Sequence, residues 1–203
     1  MSNLIKLNAG VASIVADDAW QIVRLPAAQE EVKKQAGKVV LFKLTGVEAA
    51  TAEQIAGTEI PAGKVIIPFA VWQARRDALA SRLAAGEIGV WLDTCELVED
   101  LAAQTDVNAF PVIGLHIERF ADGRIYSSAA LLRSRFGYKN ELRAFGDVLR
   151  DQLFFMKRCG IDAMQIRADR SAEDALASLN DFSDPYQAAT VIDQPVWRRH
   201  ARG

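Results

Sequence analysis

The chain has 203 residues, half of them apolar, with 24 Lys and Arg against 26 Asp and Glu, for a net charge of −2. That length fits one domain, or one domain with a small appendage, burying roughly 70% of the unfolded surface, and the composition excludes a disordered polymer. No apolar run nears the ~20 residues that span a bilayer, Asp17 and Asp18 stand where a signal peptide needs apolar residues, and Cys95 and Cys159 are too few for a disulfide framework, so a soluble cytoplasmic protein is expected.

In chain order, VASIVADDAWQIVR has two β-rich runs around Asp17-Asp18, which predicts a hairpin there. Residues 29–36 predict a short helix and 38–44 a strand. The Gly- and Pro-containing stretch 45–62 reads as a loop with a short helical turn. From Gly63 the pattern becomes rhythmic. Strands are expected at 64–68, 88–93, 111–117, 141–145 and 161–166. Helices are expected at 71–85, after Thr94 through 104, at 127–136 with Ser127 as cap, at 147–159 with Asp147 as cap, and at 171–179 with Ser171 as cap.

Short apolar runs alternating with helices predict an α/β fold, a parallel sheet of consecutive βα units. An open doubly wound sheet with helices on both faces is expected, with a partial barrel as the alternative, since five units fall short of an eightfold barrel. Three regions follow: a β-rich extension over 1–60, the α/β domain over 61–180 and a tail over 181–203.

The net charge hides an asymmetry. Residues 119–158 carry nine basic and four acidic side chains, net +5, while 1–118 sum to −5 and 159–203 to −2. Seven of the nine are arginines, and Arg forks suit oxyanions, although solvated faces and internal ion pairs would also account for the block. Ligands of parallel α/β sheets bind at the carboxyl ends of strands. The residues that land there are Asp93, Thr94, Cys95, Glu96, Glu118, Arg119, Asp122, Gly123, Arg124, Ser127, Gly146, Asp147, Arg167 and Asp169. Arg119, Arg124, Ser127, Arg143, Gly146 and Arg150 are the candidate ligand-binding residues. Asp122, Asp147 and Cys95 are the candidate catalytic groups, Cys95 because a helix N-terminus would lower its pKa. Asp122-Gly123-Arg124 reads equally as an ordinary turn. His116, alone in an apolar strand, reads as a hydrogen-bonded core group. Trp72, Trp91 and Phe154-Phe155-Met156 read as core. No metal-ligand spacing, nucleotide-binding glycine motif, flavin motif or iron–sulfur motif is present, and the acidic pI argues against nucleic acid.

The elements FADGR (120–124), Tyr126-Ser127, LLRSRFGYK (131–139), ELRAFGDVLRDQL (141–153), RCGIDAMQI (158–166) and GVWLD (89–93) together resemble a bacterial family of unassigned function. Its members are labelled as oxidoreductases of sulfite reduction, and their genes often lie beside those of sulfite reductase. The resemblance implies an accessory role in assimilatory sulfite or sulfate reduction, with a sulfur oxyanion or a phosphorylated small molecule at the strand ends. The other reading is a non-catalytic module that docks on sulfite reductase or forms a homodimer.

Overall fold

The computed structural model describes residues 3–26 and 50–199. The helix expected over 29–36, the strand over 38–44, the start of the 45–62 loop and His200 lie outside the described residues.

Five strands run parallel, as the rhythm predicts: β4 (Val65–Pro68), β5 (Ile88–Leu92), β6 (Val112–Ile117), β7 (Glu141–Gly146) and β8 (Ala163–Gln165). Three further strands come from the N-terminal segment. β1 (Leu4–Asn8) and β2 (Val11–Ile14) form a hairpin closed by a turn at Ala9–Gly10. β1 pairs antiparallel with β8, while β3 (Gln21–Ile22) pairs parallel with β4 at the opposite edge. The order is β2-β1-β8-β7-β6-β5-β4-β3. The sheet is therefore mixed, which corrects the expectation of a purely parallel one. The hairpin also turns earlier than predicted: Asp17 and Asp18 lie in the extended segment after β2, not in a turn.

The helices are α1 (Ala52–Gly57), α2 (Phe69–Ala84), α3 (Val98–Ala102), α4 (Arg124–Ser134), α5 (Arg150–Arg158), α6 (Ala172–Ser178) and α7 (Val196–Arg199). One face of the sheet, with Val65, Ile67, Val90, Leu92, Ile113 and Leu115, packs in a single core with Trp72, Leu101, Leu132, Leu153 and Met156 from the helices. The opposite face carries Ile66, Trp91, Val112 and Phe145, met by Trp20 and Ile22 from the N-terminal segment. Helices thus contribute to one core, and the expected doubly wound arrangement is replaced by a strongly curled, open half-barrel. Covering both faces explains why the strands read as unbroken apolar runs.

Three helices start later or earlier than predicted, and two of the expected caps, Asp147 and Thr94, bond elsewhere. Asp147 accepts from Phe120 N and Arg167, so α5 starts at Arg150. Thr94 N donates to its neighbour Asp93 and α3 starts at Val98. α4 starts at Arg124, whose N–H is taken by Asp122, which leaves Ser127 within the first turn. Ser171 does cap α6, accepting from Asp174 N.

The concave face has little room. A Cβ on Gly114 would lie 2.8 Å from Trp91 Cβ and 3.1 Å from Phe145 Cε1. Both neighbours belong to the same packed row, so neither can yield without moving the other. Gly114→Ala is expected to destabilise the protein by about 1–3 kcal/mol in urea unfolding, through overpacking. An unchanged midpoint would show that the row has slack.

Candidate functional site

The strand register builds the site. Leu92 of β5 stands opposite Leu115 of β6, so the next residues, Asp93 and His116, come side by side at the carboxyl end. Ile113, Leu115 and Ile117 point into the core shared with the helices, so His116 falls on the concave face. There its ring lies 5.5 Å from Trp91 and 5.1 Å from Phe145, centroid to centroid. Its Nδ1 is 3.3 Å from Asp93 Oδ2. The other Asp93 oxygen accepts from Thr94 N at 2.6 Å, which fixes the carboxylate.

Glu96 closes this corner. Its carboxylate accepts from Asp93 N at 2.8 Å and from the Ala70 backbone. Burial pushes its pKa up to about 7. Cys95 sits beside it, exposed. Its thiol pKa is raised, by burial and by the nearby Asp93 and Glu96 charges. That shift is opposite in sign to the expectation from a helix N-terminus, because no helix begins there. A cavity of about 420 Å³ opens between Leu25, Phe69, Trp91, Asp93, Cys95 and Glu96.

The predicted ligand residues divide. Arg143 is fully buried on the concave face. It donates to both oxygens of Asp18, at 2.5 and 3.1 Å, and to Glu141 at 2.7 Å. Lys6 reaches the other Glu141 oxygen at 2.7 Å. Burial disfavours the guanidinium charge, but these carboxylates outweigh it and the pKa is raised. Arg143 therefore holds the N-terminal segment to the sheet. Arg124 donates to both Asp122 oxygens, at 2.9 and 2.6 Å, and to Thr94 Oγ1 at 3.0 Å. The same guanidinium keeps the Asp122 carboxyl below the usual carboxylate range. Asp147 receives Arg167 Nη1 at 2.6 Å and Phe120 N at 2.8 Å, tying two loops together. Arg119, Ser127 and Arg150 are exposed.

Gly146 ends β7. Its φ is +104°, and a Cβ there would come within 2.2 Å of Ile117 O and 3.0 Å of His116 Cδ2. Only glycine lets the chain leave β7 this close to the imidazole. Gly146 lines a cavity of about 580 Å³ with Asp18, Trp20, Arg24, Gln165 and Arg167. Arg24 places its guanidinium 5.6 Å from the Phe145 ring centroid and makes no ion pair with a described residue. Arg167 is held by Asp147 and by Asp169 at 2.6 Å.

The model of a family described as a bacterial protein of unknown function (DUF934) matches residues 89–197, more than half of the chain. The chain belongs to this family. The DUF934 segment contains Asp93, His116, Arg143, Gly146 and Arg167, whereas Asp18 and Arg24 precede it. No curated protein and no solved structure matches the chain. Among the described residues no helix is long and apolar enough to cross a membrane, and no group of three His, Cys, Asp or Glu could hold a metal ion.

Sequence reasoning missed the His116–Asp93 pair and Arg24. The pair was within reach: in PVIGLHI the alternate positions Ile113, Leu115 and Ile117 mark the core face, which leaves His116 on the other. Arg24 had no such signal, because its place depends on a segment that folds across the sheet.

Two outcomes follow. Arg143→Met leaves Asp18 without its cation and Glu141 with Lys6 alone, and is expected to cost about 3 kcal/mol in urea unfolding, partly recovered when Asp18→Asn is added. Glu96 has an ordinary pKa of 4.5 and a folded value of about 7. The native state therefore binds a proton that the unfolded state releases, and stability falls as pH rises between these two values. Glu96→Gln is expected to flatten that part of the stability–pH curve; an unaltered slope would place the titration elsewhere.

Proposed function

We propose that the chain binds a small oxyanion at the carboxyl ends of β7 and β8 and serves as an accessory protein of assimilatory sulfite or sulfate reduction. The observation that carries the first part is Arg24. It is a cation with no ion pair to a described residue, set over Phe145 and facing a cavity of about 580 Å³. That volume suits a small ligand. Arg167 lines the same cavity, already oriented by two carboxylates. The second part draws on the resemblance of residues 119–166 to proteins labelled for sulfite reduction. Sulfite, sulfate and adenosine phosphosulfate share the oxyanion that such a pair of arginines would recognise.

A second reading, docking on sulfite reductase or on a second copy, draws on a different surface. Phe120 and Phe155 are 47% and 43% exposed, and Arg158 lies 5.7 Å from the Phe155 ring centroid. An apolar patch with a cation beside it suits an acidic protein surface.

Thermal unfolding with sulfite, sulfate or adenosine phosphosulfate separates the readings. A ligand at a hundredfold excess over Kd adds about 2.7 kcal/mol, or roughly 5–10 °C for a domain this size. That shift is expected in the wild type and lost in Arg24→Ala. No shift with any of the three would defeat the anion-binding reading. Co-purification with sulfite reductase that survives Arg24→Ala but fails after Phe155→Asp would favour docking.

A further inference from the structure

We infer that β2 is an interaction edge, and that the partner it fits is β2 of a second copy of this chain, paired antiparallel about a two-fold axis at Ser13. This stands apart from the anion-binding reading and from the aromatic patch at Phe120 and Phe155.

The hydrogen-bond pattern shows what the edge offers. β2 ends the sheet and is paired on one side only, by β1. Leu7 N donates to Asp162 O on the β8 side of β1, and Val15 N donates to Leu4 O on the β2 side. Even-numbered residues of β1 therefore bond toward β2, and by register Val11, Ser13 and Val15 bond back. Ala12 and Ile14 turn both N–H and C=O outward. Among the described residues nothing bonds to these four groups. Edge strands are commonly guarded by charge, proline or shortness. The far edge, β3, is two residues long. β2 reads VASI, and neither charge nor proline lies between Asn8 and Asp17.

Self-complementarity identifies the occupant. With the axis at Ser13, Ala12 of each copy faces Ile14 of the other, so the outward groups of one copy are met by the same groups of the other. An axis at Ala12 would set Ile14 against the Gly10 turn, and an axis at Ile14 would set Ala12 against Ala16, beyond the strand. In the Ser13 register, Ser13 falls opposite Ser13 and Val11 opposite Val15. These are the pairs without hydrogen bonds, where side chains approach most closely. They lie on the face away from the helices, because Ala12 and Ile14 pack on the shared core. Val11 is 71% exposed, more than any other large apolar residue described, and this register covers it with a valine. No like charges meet across the axis. Two strands this short bury less than the ~1,200 Å² of a standard interface, so the pair forms only as concentration rises.

The test is sedimentation equilibrium and amide hydrogen exchange of the full chain between about 10 µM and about 1 mM. The mass is expected to rise from 22.2 kDa toward twice that value. Over the same range exchange at Ala12 and Ile14 is expected to slow about tenfold, while the Ser13 amide, turned toward β1, is slow throughout. Ser13→Asp sets two carboxylates against each other on an exposed face, beside Lys6 of its own chain, so the fold tolerates it. It is expected to weaken association about tenfold or more, and the uncharged Ser13→Asn by no more than about twofold. A chain that stays monomeric at the highest concentration would overturn the inference. A dimer that Ser13→Asp leaves intact would overturn it too, by placing the interface elsewhere. Slowed exchange at Ala12 and Ile14 only in the presence of a different protein would reassign the edge to a foreign strand.

Discussion

Seven residue steps separate Ile14, at the end of one edge strand, from Gln21, at the start of the other. Fully extended, they reach about 25 Å. Eight strands laid flat span about 33 Å from edge to edge. The segment cannot bridge a flat sheet, so the sheet must curl for both pairings to exist. That single length sets the rest. Curling makes one face concave and narrows it, so that Gly114 is needed where Trp91 and Phe145 meet. It brings the carboxyl ends of β7 and β8 beside the N-terminal segment, around one cavity. It also lays residues 15–26 over the interior, which is how Asp18, Trp20 and Arg24 come to face side chains from strands more than 100 residues later.

Arg143 is the interior counterpart of that length. A fully buried guanidinium is costly on its own, and it is tolerated here because three carboxylate oxygens of Asp18 and Glu141 surround it. Such a pairing adds little net stability compared with an apolar core. What it does is specify. An apolar residue at position 18 could slide along the concave face, whereas a forked bond to Arg143 fixes where the segment crosses. With the crossing fixed, Arg24 falls over Phe145. Arg143, expected from sequence to hold a ligand, is held by two carboxylates and fixes the segment that carries Arg24.

The parallel core was legible because each of its strands is an apolar run of sheet length followed by an amphipathic helix. β4 to β8 and α2, α4, α5 and α6 all fall where periodicity puts them, apart from their ends. The start of α5 slipped because Asp147 bonds to Phe120 and Arg167, 20 or more residues away, and a capping rule sees only neighbours; at α3 and α4 nearer bonds, of Thr94 N to Asp93 and of Arg124 N to Asp122, compete with the expected caps. The antiparallel hairpin partner and the one-sided packing of helices were not legible, since no local pattern says which face a helix takes. The charge arithmetic was right in number and incomplete in meaning. Of the cationic block, Arg133 is occupied by the Gly160, Tyr138 and Asn140 carbonyls and by Asp162, Arg143 by Asp18 and Glu141, and Arg124 by Asp122. The cations that line the mouth, Arg24 and Arg167, come from outside the block. Clustered charge in a sequence marks where charges are, and only the partners reveal which remain to meet a ligand.

The pairing of β1 with β8 joins Leu4 to Gln165. During synthesis the first strand leaves the ribosome with no partner, and its partner follows some 160 residues later. β4 to β7 can assemble meanwhile, each on its predecessor, with only a helix between. The hairpin can close early on itself, but it must wait beside a growing sheet, and the concave face stays open until the last strand arrives. Contacts so distant along the chain are slow to form, because the intervening loop has to be closed before they give anything back. The concave face, which depends on the pairing of β1 with β8, therefore closes late.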